Sequence, residues 1–341
     1  MIKQYRVAVV GATGAVGHEM RATLAARGFP ASELIALASS RSAGIQLEYG
    51  DDCVDCRELT RDSFHGIDLA LFSAGGAISR EYAPLARDAG CVVIDNSAAW
   101  RMDPAVPLIV PEVNPDAAAA HGGIIANPTC STIQMVVALK PLHDVARIRR
   151  VVVSTYQAVS GTGSKAITEL IRESDEILDG IAPLIEVYPY QIAFNCLPHI
   201  DVFLEGGSTK EEQKMVDETK KILEDDSVAV TATCIRVPVQ NGHSEAVNLE
   251  FERDLSPEQA REILAGAPGV EVVDDPTNLL YPMPITASGR DPVFVGRIRR
   301  DPTLPHGLNL WVVADNLRKG AALNAVQIAE LLAQRDLIRV P

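Results

Sequence analysis

One cysteine, Cys130, stands in the segment Asn127-Pro-Thr-Cys-Ser-Thr132, well downstream of the glycine-rich run Gly11-Ala-Thr-Gly-Ala-Val-Gly17. A thiolate can hold an acyl group as a thioester. A glycine-rich turn of this kind can hold the pyrophosphate of a nicotinamide dinucleotide, which gives or takes hydride. Together the two features imply an enzyme that interconverts an aldehyde and an activated acid.

The neighbours of Cys130 favour a reactive thiol. Pro128 stops a preceding helix and restrains the turn. The run from Ser131 to Lys140 is apolar at Ile133, Val136, Val137 and Leu139 and predicts a helix. The cysteine then lies at the helix N-terminus, where unpaired N–H groups and the dipole favour an anion. Such a setting takes a thiol from about 8.5 into the range of roughly 3.5–7.5. Read locally, the same residue also suits a packed core cysteine, and both readings stay open at this point.

Gly11, Gly14 and Gly17 follow a predicted strand and open a predicted helix, so that Thr13, Ala15 and Val16 share the turn with them. This context lets backbone N–H groups approach a pyrophosphate at the helix N-terminus. The end of the second strand bears on the cofactor. An NAD site places an acid there for the ribose 2′-hydroxyl, but this chain has Ser39-Ser-Arg-Ser42. Arg41, with Ser39 and Ser42, suits a 2′-phosphate through charge-assisted hydrogen bonds. NADP is therefore expected rather than NAD.

Two kinds of framework must position these groups. Up to about residue 125, short apolar strands at Tyr5–Val10, Leu34–Ala38, Leu69–Phe72 and Cys91–Ile94 alternate with helices through Ala26 and over Ser79–Ala89. That rhythm predicts a doubly wound, mainly parallel α/β sheet of the Rossmann type. Beyond it, β-branched strands are expected at Arg149–Ser154, Val228–Val237, Ala246–Phe251, Val293–Arg299 and Leu308–Val313. Helices are expected near Thr162–Leu178, Thr209–Leu223 and Pro257–Leu264. This pattern predicts an α+β domain with a mixed, largely antiparallel sheet. Residues 1–128 are thus expected to form the cofactor domain, completed by a C-terminal helical segment at 318–341, and residues 129–317 a catalytic and dimerisation domain. Cys130 falls at the boundary, a common place for ligands.

Composition narrows the class. With 341 residues, 47% of them hydrophobic and 22% charged, the chain suits a two-domain globular protein. A net charge of −14 argues against nonspecific nucleic-acid or anionic-membrane binding. No run reaches the roughly 20 apolar residues of a membrane span, and a strand beginning by Tyr5 leaves no room for a secretory leader. The six cysteines do not form a disulfide framework, and Cys53-x-x-Cys56 lacks the second pair of a zinc site. A metal site is not expected, and a cytoplasmic location is.

The motifs, taken in order, resemble the aspartate-semialdehyde dehydrogenase family. They are GATGAVG at 11–17, SSRSAG at 39–44, DNSAAWRM at 95–102, NPTCST at 127–132, YQAVSGTG at 156–163, EEQKM at 211–215, RVPVQNGHSE at 236–245 and DNLRKGAALNA at 315–325. The resemblance spans essentially the whole chain.

It implies NADPH-dependent reduction of L-aspartyl 4-phosphate to the 4-semialdehyde with release of phosphate, in lysine, methionine and threonine biosynthesis, by a homodimer. Cys130 is then the nucleophile, Gln157 orients the substrate, and His243 takes a proton from the thiol or the thiohemiacetal hydroxyl. Arg236 binds the substrate α-carboxylate, and Glu211 meets its ammonium. Arg101 and Lys214 hold the phosphate, while Ser160, Gly161 and Asn316 lie near the nicotinamide. Read without the resemblance, Glu211, Glu212 and Lys214 are the polar face of an amphipathic helix that Thr209 and Glu212 cap. The alternatives are a reductase of N-acetyl-γ-glutamyl phosphate, whose acylated amine needs no carboxylate partner, and a noncatalytic cofactor-binding homologue.

Overall fold

A computed structural model describes residues 3–340 of the chain. It divides into two compact units, residues 1–129 with 321–341, and residues 130–320.

In the first unit, β1 (Tyr5–Val10), β2 (Ala31–Ala38), β5 (Leu69–Phe72), β6 (Val92–Asp95) and β7 (Ile124–Ala126) pair in parallel with one another and with β4 (Asp52–Glu58). The sheet order is β3-β4-β2-β1-β5-β6-β7, in which β3 (Gln46–Tyr49) joins β4 as an antiparallel edge hairpin. Helices α1 (Ala15–Ala26) and α2 (Gly76–Asp88) make crossovers. The chain ends in α8 (Leu323–Gln334), which packs on α1 and contributes Val326, Ile328 and Leu332 to a core shared with Val7, Val9, Leu69 and Ile94. The strands are continuously apolar because helices cover the sheet, as parallel sheets require.

The second unit is built on a six-stranded mixed sheet of order β11-β12-β13-β10-β8-β9. Helix α3 (Cys130–Ala146) leads into β8 (Ile148–Gln157), and α4 (Ser164–Leu178) and α5 (Lys210–Leu223) precede β9 (Ala229–Arg236). There follow β10 (His243–Phe251), α6 (Pro257–Ala265), β11 (Val270–Val272), the short α7 (Pro284–Ala287), β12 (Val293–Asp301) and β13 (Gly307–Ala314). The β8–β9 and β11–β12 pairs are parallel and the remaining pairs antiparallel.

Helix α3 lies over β8, β10, β12 and β13 with α5 and α6 beside it. It buries residues all round its axis, the mark of a core helix. Along β10 the odd-numbered residues His243, Glu245, Val247, Leu249 and Phe251 are buried, and from Ala246 onward the even ones are half-exposed. The period of two therefore turns the odd side chains to the helix-covered face.

The sequence places the main elements, with departures; the short β7, β11 and α7 are not expected from it. Helix α3 begins at Cys130 rather than Ser131 and runs through Pro141 to Ala146. Pro141 removes one donor, yet Leu139 and Leu142 on either side are buried and keep the helix in place. The β3–β4 hairpin is absent from the sequence reading, because its residues alternate polar with weakly apolar and carry no β-branched run. Cys53 and Cys56 both lie on β4, three apart, so they point to opposite faces, one exposed and one buried. They cannot pair with each other. The C-terminal helical segment starts with a π-helical turn at Arg318–Ala322 before α8.

Candidate active site

In the first unit the glycine loop is shaped by close backbone approach. The N–H groups of Gly11 and Ala12 both donate to Leu37 O, which ties the loop to the end of β2. A side chain on Gly11 would place Cβ 2.4 Å from Ser73 O, and one on Gly17 would place it 2.2 Å from Gly11 O. Gly14 caps α1 with no side-chain hydrogen bond, so the first-turn N–H groups of Ala15 and Val16 face a ligand side. Ser39 and Arg41 are exposed just beyond β2, and Ser42 is half-exposed. This cradle fits a dinucleotide phosphate. Arg101, also in this unit, is buried and donates from Nε to Asn127 O at 2.9 Å, from Nη2 to Asn96 O at 2.8 Å and from Nη1 to the Thr129 hydroxyl. Asn127 is in turn held by Asn324.

In the second unit the strand register gathers the remaining predicted residues. Gln157 ends β8 directly beside Arg236, which ends the parallel β9. His243 opens β10 on the other side of β8. Gln157 Nε2 donates to Glu211 Oε1 at 3.2 Å and to Thr155 Oγ1 at 3.3 Å. Glu211 lies in the first turn of α5, whose start is fixed by a capping box between Thr209 and Glu212 worth about 1 kcal/mol. Glu211 also accepts from Lys214 Nζ at 3.1 Å, and Asp201 accepts from the same ammonium at 2.8 Å. Burial pulls the Lys214 ammonium toward neutrality, but Glu211 and Asp201 outweigh it and leave its pKa raised.

Arg236 and His243 converge on Gly161. A Cβ there would lie 3.0 Å from Arg236 Nη1 and 3.3 Å from His243 Nε2, a tight approach to both side-chain ends. Arg236 is 6% exposed. Its Nη1 donates to Ala158 O at 2.8 Å, and among the described residues it has no carboxylate partner. A buried guanidinium in that state is costly unless an anion completes it.

His243 is fully buried, and burial followed by the nearby Arg236 charge holds its pKa well below the ordinary imidazole value. Its Nδ1 accepts the Ala158 N–H at 3.0 Å. The neutral ring therefore carries its proton on Nε2, a buried atom with no protein partner. An Nδ1–H would meet the Ala158 N–H head-on, so in the neutral ring Nε2 carries the N–H.

Asn316 binds the start of β10 by accepting the Gly242 N–H at 2.9 Å, and it exchanges hydrogen bonds with Ser160. Gly320 is a residue the sequence reading missed. A Cβ on it would come within 2.7 Å of Cys130 Cβ and 3.5 Å of Asn316 Cβ. Its signal was a glycine inside a helical run, which usually has a packing reason. Gly320 thus brings the loop bearing Asn316 against the start of α3. Cys130 is half-buried, unlike the exposed Cys53 and Cys196 or the buried Cys56, Cys91 and Cys234.

The second unit so provides a thiol at a helix start, an unpaired buried cation and an Nε2–H donor. The first provides a dinucleotide loop. Residues 6–121 match the semialdehyde dehydrogenase NAD binding domain, and residues 139–319 the semialdehyde dehydrogenase dimerisation domain. The molecule is an oxidoreductase of the semialdehyde dehydrogenase class. An aspartate-semialdehyde dehydrogenase of Aquifex aeolicus is 58% identical, covering 98% of this chain and 99% of its own length, and that of Legionella pneumophila is 54% identical over 100% and 99%. The crystal structure of aspartate semialdehyde dehydrogenase II from Vibrio cholerae, complexed with ASA, superposes with a TM-score of 0.95 at 48% identity, covering 97% of this chain and 99% of that one. The chain belongs to the aspartate-semialdehyde dehydrogenase family.

Among the described residues no helix is long and apolar enough to cross a membrane, and no cluster of His, Cys, Asp or Glu could hold a metal ion.

Proposed function

We propose that the chain reduces L-aspartyl 4-phosphate to L-aspartate 4-semialdehyde, releasing phosphate, with NADPH as reductant, in the synthesis of lysine, methionine and threonine. The observation that carries the substrate choice is Arg236, a buried guanidinium without an anion, beside the Nε2–H of His243. It suits a substrate α-carboxylate bidentately. Glu211, on the same polar cluster as Gln157 and Lys214, suits the substrate ammonium. Lys214 is the phosphate cation of the second unit, and Arg101 is the candidate of the first.

Cys130, at the start of α3, attacks as the thiolate that a helix N-terminus favours. The C–S bond forms and the acyl C–O bond breaks, its electron pair leaving with phosphate. His243 Nε2–H donates to the carbonyl oxygen as it gains negative charge, in the manner of an oxyanion donor. The reduced nicotinamide dinucleotide, when bound, supplies hydride to the resulting thioester. The same Nε2–H then holds the thiohemiacetal oxyanion, which collapses and returns the C–S electrons to sulfur. The aldehyde leaves and Cys130 is again a thiolate, so the ring need not protonate. Ser160, Gly161 and Asn316 would hold the nicotinamide half, and Gly11, Thr13, Gly14, Ala15 and Val16 the pyrophosphate. Arg41 with Ser39 and Ser42 would hold the 2′-phosphate. The Candida albicans aspartate semialdehyde dehydrogenase, 27% identical and with a TM-score of 0.75 over 98% of this chain and 100% of that one, was crystallised with NADP, which supports that choice. A homodimer formed through the second unit and a cytoplasmic location complete the reading.

The purified protein given L-aspartate semialdehyde, phosphate and NADP should generate NADPH absorbance, and Cys130→Ala should abolish it. Turnover of N-acetylglutamate semialdehyde instead would overturn the substrate. An Arg41→Ala protein should show a KM for NADP raised about tenfold, a loss of about 1.4 kcal/mol, with the KM for NAD little changed.

A further inference from the structure

Asp315, the residue after β13, is buried, and both of its carboxyl oxygens are occupied. Oδ1 accepts the N–H groups of Leu317 and Arg318 at 2.9 and 3.0 Å. These stand at the start of the π-helical turn that carries Gly320 against Cys130. Oδ2 accepts Asn241 Nδ2 at 2.8 Å and the Gly289 N–H, just past α7, at 2.7 Å. Asn241 lies two residues before His243, on the link from β9 to β10. Its Oδ1 accepts the Ser160 hydroxyl at 3.0 Å.

One carboxylate thereby fixes the direction of a series of hydrogen bonds. It only accepts, at about four lone-pair sites, and four N–H donors fill them here. The Asn241 amide must then turn its nitrogen to Asp315 and its oxygen to Ser160. The Ser160 hydroxyl gives its one hydrogen to Asn241 Oδ1, so it accepts from Asn316 Nδ2, 2.9 Å away. Asn316 Oδ1 is left to accept the Gly242 N–H, next to His243. We infer that Asp315 is a positioning residue for the reaction. It ties the turn before His243 and the amide of Asn316 to the turn that packs on Cys130, and it touches no reacting atom. The inference rests on the roles proposed above for Cys130, His243 and Asn316.

An exchange of donor and acceptor tests it in the full-length protein. Asp315→Asn keeps the shape but turns an amide nitrogen on one pair of N–H donors. It should lower kcat by about 10²-fold, the cost of misplacing a reacting group by about an ångström, with the KM for phosphate changed by less than about threefold. Asn241→Asp alone should also be slow, because two carboxylates then face each other. Asp315→Asn combined with Asn241→Asp again sets a donor against an acceptor and still receives the Ser160 hydroxyl. That double variant should regain roughly tenfold in kcat over either single one, the scale of one hydrogen bond. Asn241→Ala leaves Asp315 with its other three donors, should lose kcat by about tenfold, and serves if Asp315→Asn does not fold. Wild-type kcat in Asp315→Asn or in Asn241→Ala would overturn the positioning role.

Melting temperatures read the same link without turnover. Asp315→Asn and Asn241→Asp should each lower the melting temperature by roughly 5 °C, the scale of a lost hydrogen bond to a charged group. The double variant should recover most of that loss. If it is no more stable than the single ones, the Asp315–Asn241 link is overturned. If it regains stability but not kcat, the role in the reaction is overturned. Activity surviving in Cys130→Ala would instead overturn the nucleophile and leave the melting temperatures untouched.

Discussion

Two ionisable pairs in the second unit are treated in opposite ways. On α5, Glu211 and Lys214 pair at the helix start, Glu211 also accepting from Gln157 and Lys214 also donating to Asp201, and the two carboxylates hold the ammonium in its charged form. On β10, His243 and Glu245 lie under α3 with no opposite charge to pair with, and burial drives both toward neutrality, one by lowering its pKa and the other by raising it. The difference is one of partners rather than of depth alone: a buried group keeps its charge only where something is there to compensate it. The helix start thereby keeps its ions, and the strand holds its two titratable groups toward their neutral forms.

The comparison is broken most sharply at His243. Its replacement by Leu should lower kcat by about 10²–10³-fold, the usual cost of an oxyanion donor, with little change in melting temperature. In the wild-type enzyme the acid limb of kcat should show no group near the ordinary imidazole value of about 6.5, because the buried ring is already neutral above and below it. An acid limb centred there, abolished by the Leu substitution, would restore a proton-accepting histidine.

On the charged side, Lys214→Met should raise the KM for phosphate by about tenfold in the oxidative direction while kcat falls less. An equal loss in both would mean that Lys214 acts in the transition state rather than in binding.

The smallest expected effect is on stability. A carboxyl whose pKa is raised by folding contributes stability that is present below its unfolded value of about 4.5 and is lost as pH rises toward the folded value. Glu245→Gln has no such loss. It should therefore melt a few degrees above wild type at pH 8, with the gap closing near pH 4. A gap that stayed constant with pH would show that Glu245 is ionised in the folded protein.

Most of the fold was legible because its strands are apolar and its helices are punctuated. Glycine and proline marked the dinucleotide loop and the start of α3, and the Thr209–Glu212 capping box marked α5 to the residue. The hairpin of β3 and β4 escaped because its stability comes from the edge of a parallel sheet, not from its own composition. The motifs also named side chains that the strand register then brings together, Gln157 beside Arg236 with His243 across β8. Their protonation was not legible. Nothing in the run Gly242-His-Ser-Glu245 says that the Ala158 N–H points at the histidine ring, the contact that fixes the tautomer of the neutral imidazole. Nor does a lone glutamate after a histidine announce a fully buried carboxyl whose pKa burial pushes up. Such facts belong to register and packing, which bring residues 85 positions apart into contact.

The distribution of the six thiols has a practical consequence for labelling. Three are sealed in the interior, Cys53 and Cys196 lie open, and Cys130 is intermediate. A chain carrying Cys53→Ser and Cys196→Ser would present one addressable sulfur. A covalent ligand aimed at Cys130 could then be ranked by mass alone, free of the background that the two surface thiols now contribute.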